Sequence, residues 1–244
     1  MIDLHMHISA GMDDGASSIQ EAVRMAEIAP DCRVKAVAAT CHAHFSPQTR
    51  EDYVLRYRKQ IKRLRAELEK TRIPLKVYSG AEILVDKNTS PLLSEKQIIT
   101  INGSRYPLIE FPFGVAGETL FREALAFLDY GYTPIIAHPE RYDCVKEEYG
   151  ILYRLYEAGI LLQINKGSLL GEFGQRAEKA AFWMLDHCLA HVVASDSHDS
   201  VLRTPDLEET ARIMELAFGL GSVEILLNEN PRRILANREV IRSR

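Results

Sequence analysis

Short apolar runs alternate with amphipathic stretches along most of this chain. The runs Ile2–His5, Val34–Ala39, Lys76–Ser79, Tyr106–Glu110, Thr133–Ala137, Ile160–Ile164 and His191–Ala194 predict seven strands. Several are apolar at nearly every position, the pattern of strands covered on both faces. Between them, apolar residues shift to helical spacing. Ile19, Ala22, Val23 and Ala26 recur behind Ser18 and Glu21, which are spaced as a capping box. Residues 49–72 read as one long charged helix with Tyr53, Tyr57, Ile61, Leu64 and Leu68 on one stripe. Gly131 and Gly159 stand where a helix end wants a left-handed residue. Asn230-Pro231 reads as the cap and first-turn proline of a short last helix. Strand and helix alternating in this way predict a parallel α/β fold. A closed barrel and an open doubly wound sheet fit the periodicity equally well. No repeat or linker divides the chain, so the expectation is a single domain over residues 1–244.

Composition narrows the partners more than the fold. With 46% hydrophobic and 26% charged residues, 244 residues are enough to close a core without disulfides. A net charge of −4 argues against a broad basic surface for nucleic acid and leaves room only for a local patch. No apolar run approaches the ~18 residues of a membrane span. Met1-Ile2-Asp3-Leu4-His5 lacks the basic-then-apolar order of a secretory signal. The four cysteines (Cys32, Cys41, Cys144 and Cys188) have no C-x-x-C spacing, so a reduced, cytoplasmic setting is the simplest expectation.

The candidate chemistry collects at strand ends. His5 and His7 follow the first strand, His42 the second and Glu82 the third; Glu110 ends the fourth, His138 follows the fifth, and Asp196 and His198 follow the last. Six of the seven strands thus deliver a metal-type ligand at the C-terminal end, where α/β folds build their sites. His5-Met6-His7 and Asp196-Ser197-His198 repeat one spacing, which turns both side chains of a pair to one face of a strand. A carboxylate closing an apolar strand, as Glu110 does, is costly unless paired or bound to a cation. Asp13-Asp14-Gly15 is a turn signal; one aspartate can shape the turn while the other reaches the site. Arg141 and Arg203 lie just past ligand-bearing strand ends, where a guanidinium can clamp phosphate.

These residues, from Asp3-Leu4-His5-Met6-His7 to Asp196-Ser197-His198, resemble the polymerase and histidinol phosphatase (PHP) superfamily. The strings Gly80-Ala81-Glu82-Ile83, Leu108-Ile109-Glu110-Phe111, Ile136-Ala137-His138-Pro139-Glu140-Arg141-Tyr142 and Gln163-Ile164-Asn165 are similar to its CpsB/CapC branch. That branch comprises manganese-dependent bacterial protein-tyrosine phosphatases of capsule and exopolysaccharide operons. The resemblance implies a distorted, TIM-like (β/α)7 barrel with three divalent ions, Mn2+ favoured and Fe, Co or Zn the other options. It implies a first ion held by His5, His7, Glu82 and Asp196, and a second by Glu82, Glu110 and His138. A third would be held by Asp14, His42 and His198, with Arg141 and Arg203 on phosphate. His44 has no assigned role, and the loop from Phe45 to Tyr53 is expected to set substrate preference.

The implied reaction is attack of a metal-bridging hydroxide on phosphorus, with a bacterial tyrosine autokinase bearing a Tyr-rich tail as substrate and partner. Four ligand carboxylates against three divalent ions leave a first shell near +2, opposite to the charge of about −1.5 to −2 on a phosphomonoester. A cysteine-based mechanism needs an arginine six residues past the nucleophile, and Ala38, Pro47, Gly150 and Ala194 stand there instead. Two alternatives remain open from the ligands alone. One is a small-molecule phosphomonoesterase such as a histidinol phosphatase; the other is a non-catalytic metal-dependent assembly protein of polysaccharide export. A homo-oligomer is compatible with all three.

Overall fold

Eight strands run parallel around a common axis in the computed structural model, which describes residues 1–44 and 46–242. They are β1 (Ile2–Met6), β2 (Ala36–Ala39), β3 (Lys76–Ser79), β4 (Glu82–Leu84), β5 (Leu108–Glu110), β6 (Ile135–Ala137), β7 (Leu161–Asn165) and β8 (Val192–Ala194). β1, β2 and β3 form one sheet in that order, and β4 to β8 form a second in chain order. Two bridges join the sheets. Met6 pairs with Ser197 beyond β8, and His42 beyond β2 pairs with Glu82. Asp196 N donates to His5 O at 2.8 Å and His7 N to Ser197 O at 2.9 Å on one side; Ala43 N donates to Glu82 O at 2.8 Å on the other. The strands therefore close into a distorted barrel, and the open-sheet alternative falls away.

The eighth strand comes from a break in the third. β3 and β4 are separated only by Gly80-Ala81. A Cβ on Gly80 would stand 2.8 Å from Thr40 Cγ2, so the chain slips past β2 there because the residue is glycine. β3 pairs with β2, whereas β4 pairs with β5 and with the extension of β2 at His42. Glu82, expected just past the third strand, instead opens β4.

The helices mostly follow the predicted stripes. The long helix spans Arg50–Thr71 and buries Tyr53, Tyr57, Ile61, Leu64 and Leu68. Gly131 and Gly159 have φ of +84° and +94°, as a left-handed helix end requires. Two expectations need correction. The capping box forms only in half: Ser18 Oγ accepts from Glu21 N at 3.2 Å, but the Glu21 carboxylate turns to Ser200 N and Arg24. Asn230 is not a cap. It continues a helix arriving from Ile225–Glu229, and its side-chain amide bonds His191 O and the Ile241 backbone instead. Phe45, the first residue of the loop expected to set substrate preference, lies outside the described residues.

Alternate strand residues serve two apolar clusters. Val37, Ile109, Ile136, Leu162 and Val193 pack under the helices with Ala22, Met25, Ile61, Leu64, Phe127 and Leu152. Leu108, Ile135, Leu161 and Val192 join a smaller cluster with Ile101, Tyr106 and Ile234. Two residues further along that second row come Glu110 after Leu108 and Gln163 after Leu161, so the row turns polar toward the C-terminal strand ends. No helix among the described residues is long and apolar enough to cross a membrane.

Candidate metal centre

At that end, eleven side chains from distant parts of the chain meet. His5 and His7 point the same way from β1 and its extension, with Nε2 atoms 3.1 Å apart. Glu82 Oε2 lies 3.2 Å from the first and 3.3 Å from the second. Asp196 Oδ1 lies 3.4 Å from both. The other ring nitrogens are already engaged: His5 Nδ1–H donates to Gln163 Oε1 at 2.9 Å and His7 Nδ1–H to Asp13 Oδ2 at 2.7 Å. Both Nε2 atoms are therefore lone-pair acceptors when the rings are neutral. Two imidazole and two carboxylate lone pairs converge in a buried space. Glu82 Oε2 has no hydrogen-bond partner of its own. Lone pairs at this separation repel unless a cation stands among them, so the donor set fits a divalent ion.

Two further groups adjoin this one. Glu82, Glu110 and His138 place ligand atoms within 4.8 Å of one another, as do His7, Asp14, His42 and His198. His138 Nε2 lies 3.0 Å from Glu82 Oε1, so the two oxygens of Glu82 face different groups. His42 Nδ1 lies 2.9 Å from Glu110 Oε1, while its Nε2 faces Asp14 Oδ1 at 3.6 Å. His198 Nε2 is 3.5 Å from the same Asp14 oxygen. His44, without a role in the sequence reading, is exposed and forms another such group with His42 and Glu110.

Burial opposes the charged form of these groups, and their neighbours overturn it. His5, His138 and His42 hold Glu82 well below the usual carboxylate range. Asp196 is lowered by His5, His7 and His138. Asp13, Asp196 and Glu82 hold His7 well above the usual imidazole value, and Glu110 and Glu82 raise His42 to about 10. His198 moves the other way, lowered by burial and by charge on His7. Oxygen and nitrogen donors with this much mutual polarisation are typical of functional clefts.

The backbone is bent to serve the cluster. His138 and Asp196 have φ of +36° and +50°, a left-handed conformation that costs ~1–2 kcal/mol for a side-chain-bearing residue. Each turns the chain sharply just past a strand end. A Cβ on Gly15 would fall 2.2 Å from His7 O, so the Asp13-Asp14-Gly15 turn lies against β1 only with glycine there.

That turn divides the two aspartates. Asp14 is exposed and faces His42 and His198. The Asp13 side chain is buried: its Oδ2 accepts from His7 Nδ1 and from His42 N, both at 2.7 Å, and its Oδ1 accepts from Gly15 N at 3.0 Å. The bond from His7 helps to lower Asp13 to about 2 against the opposing effect of burial. Asp13 therefore orients two candidate ligands at once. Asp13→Ala is expected to weaken metal binding about 10–100-fold, as loss of such an orienting partner does. Competition with a fluorescent chelator measures this, and unchanged affinity would reduce Asp13 to a turn residue.

Sequence reading gave no role to Gln163 or Asn165, although each is a polar residue in an otherwise apolar strand. Gln163 fixes the His5 ring. Asn165 Nδ2 donates to Asp196 Oδ2 at 2.6 Å, and Asn165 N donates to the buried carboxylate of Glu140 at 2.9 Å. Arg203 Nη2 donates to the same Asp196 Oδ2 at 2.6 Å, with Arg141 Nη1 at 3.5 Å. Asp196 thus presents one oxygen to the histidines and the other to two guanidinium groups. The Arg141 guanidinium lies between two rings, 4.6 Å from the centroid of Phe113 and 4.0 Å from that of Phe173. Such stacking fixes its plane.

A closed parallel barrel carrying a His/Asp/Glu cluster at its strand ends defines the class of protein. Residues 1–236 match the family described as capsular polysaccharide synthesis, CpsB/CapC, and the chain belongs to that family. It is 34% identical over 245 residues to tyrosine-protein phosphatase YwqE of Bacillus subtilis strain 168, covering 99% of this chain and 94% of that one. It is 30% identical over 244 residues to tyrosine-protein phosphatase CpsB of Streptococcus pneumoniae, covering 98% and 99%. A solved structure from work on YwqE and CpsB, described as unique metal-dependent tyrosine phosphatases, superposes with a TM-score of 0.89. Identity to it is 31%, over 100% of this chain and 97% of the other. The phosphotriesterase homology protein of Escherichia coli, at 9% identity and a TM-score of 0.59 over 96% of this chain and 98% of its own, shares the fold alone.

Proposed function

We propose that this chain is a metal-dependent protein-tyrosine phosphatase acting on a bacterial tyrosine kinase of capsular or exopolysaccharide synthesis, in the cytoplasm. The observation that carries the reading is the buried convergence of His5, His7, Glu82 and Asp196 beside two arginines that share Asp196. A purely structural metal site has no use for that pair of cations, which disfavours the assembly-protein alternative. The names of the relatives favour phosphotyrosine over a small phosphomonoester.

In this reading His5, His7, Glu82 and Asp196 hold a first ion. Glu82, Glu110 and His138 hold a second, and Asp14, His42 and His198 a third. Mixed nitrogen and oxygen donors suit Mn2+ and leave Fe, Co and Zn as alternatives. When bound, the ions supply a water nucleophile usable at neutral pH and positive charge beside the phosphoryl oxygens. The protein's own groups do the rest. Arg203 and Arg141 bind the outer phosphoryl oxygens, and Phe113 and Phe173 keep the Arg141 plane fixed for that contact. Asn165, whose backbone N–H is held by Glu140, holds Asp196, and Gln163 and Asp13 hold the histidines. A phenolate of pKa near ~10 departs with little proton donation, unlike a serine alkoxide.

The expected result is hydrolysis of p-nitrophenyl phosphate that chelator abolishes and Mn2+ restores. Phosphotyrosine peptide should be cleaved at least ~10-fold more efficiently than phosphoserine peptide or histidinol phosphate, a difference of about 1.4 kcal/mol in transition-state binding. Activity surviving complete metal removal would refute the chemistry; preference for histidinol phosphate would shift the reading to the small-molecule enzyme.

A further inference from the structure

The helix Arg50–Thr71 carries a charge pattern that the metal centre does not explain. From Tyr53 to Ala66 it holds Arg56, Arg58, Lys59, Lys62, Arg63 and Arg65 and no acidic residue. The whole chain has a net charge of −4. With eight basic and four acidic residues the helix itself is +4, so the remainder is −8. One side of the helix borders a groove of about 490 Å³ against Ser79 and the segment Ile98–Gly103. Arg50, Arg58, Lys62 and Arg65 line it, and no carboxylate does. Arg50 and Arg65 tie the walls together by donating to backbone carbonyls, at 2.7 Å to Gln97 O and 2.7 Å to Val77 O. A carbonyl leaves their charge unneutralised. Arg58 and Lys62, one turn apart between them, are exposed and make no ion pair among the described residues.

The floor of the groove is apolar, with Val54, Ile61, Ile98 and Ile99. An apolar floor under a cationic rim suits an extended polypeptide carrying acidic residues. It suits a nucleic acid less well, since base stacking wants a free aromatic face. Tyr57, the aromatic residue lining the groove, is buried, and its hydroxyl is engaged by Ala39 O and Gly80 N. A bilayer is disfavoured too, because the apolar stripe of the helix is already buried in the core.

The groove also starts close to the reaction site. Arg50 is eight residues past His42 in sequence, and Tyr53 Oη donates to Cys41 O at 3.3 Å, pinning the first turns of the helix beside the His42 strand end. We propose that this groove is a docking site for acidic residues flanking the phosphotyrosine of the protein substrate. The inference rests on the phosphatase reading for its substrate, but the groove can be tested without turnover. Charge complementarity acts mainly through encounter and KM rather than through the chemical step.

The test uses the full chain loaded with Mn2+ and the charge-reversed variant Arg58→Glu/Lys62→Glu. The first probe is a fluorescein-labelled, glutamate-rich peptide without phosphotyrosine, titrated by anisotropy at low and high salt. The variant should bind it at least ~10-fold more weakly, and salt should erase the difference. Turnover of p-nitrophenyl phosphate should stay unchanged, which also shows that the variant is folded. With phosphotyrosine peptides, KM should rise for glutamate flanks and stay put for alanine flanks. Equal binding by both proteins, an equal loss with both flanks, or tighter binding of single-stranded DNA or anionic vesicles than of the peptide would each overturn the proposal. Charge-dependent peptide binding without any phosphotyrosine turnover would support the groove and sink the phosphatase reading alone.

Discussion

Replacing Glu82 with glutamine is expected to reduce phosphatase turnover by at least ~10³-fold, the largest single loss in the protein, because one carboxylate faces four histidines and two of the proposed ion sites. Its Oε2 lies 3.1–3.3 Å from nitrogens of His5, His7 and His42, and its Oε1 lies 3.0 Å from His138. Glutamine keeps the shape but removes the charge, and its NH2 group must face imidazole nitrogens on one side or the other. Metal analysis of the purified variant should show fewer bound ions than wild type. Glu110→Gln, which takes part in only one of the three proposed ion sites, should lose less of both. A Glu82→Gln protein with full metal content and near-normal turnover would show that the carboxylate is structural and that the bridging role is wrong.

Much of this site could be read from the chain because its residues follow long apolar runs. β5, β6 and β8 announce themselves by unbroken apolar residues, and the period of two carries the reader from Leu108 to Glu110. The parts that could not be read depend on fit between segments. Glu82-Ile83-Leu84 is too short to signal a strand, and β4 exists because Gly80 lets the chain slide past Thr40 and change partners. Asp13 and Asp14 are adjacent in a turn, and nothing in their order says which is buried; Gly15 lying against His7 decides it. Asn230-Pro231 mimics a helix start, yet the helix is already under way through the widened turn Ile225–Glu229. A wider turn needs a different set of backbone donors, so the missing N–H of Pro231 is tolerated there. Phe173 stacks on Arg141 from a loop more than thirty residues away, and no local pattern signals that contact.

Arg203→Ala is expected to lower turnover by about 10²–10³-fold while metal content stays near wild type. The split between turnover and metal content follows from the other groups that hold Asp196. Arg203 Nη2 donates to Asp196 Oδ2 at 2.6 Å and to Asp196 O at 3.0 Å. Truncation leaves Asn165 on the same oxygen at 2.6 Å, and Arg141 remains within 3.5 Å, so the carboxylate keeps its orientation toward His5 and His7. What disappears is a cation at the cluster edge, where the outer oxygens of a phosphomonoester bring about −1.5 to −2 of charge. Arg203→Lys should recover part of the loss, since the charge returns without the planar fork. Inorganic phosphate should inhibit the alanine variant less than wild type. If Arg203→Ala loses metal in step with activity, then Arg203 acts by holding Asp196, and the phosphate contact falls to Arg141. That residue is already clamped between Phe113 and Phe173, so Phe113→Ala would then become the more damaging change at the rim.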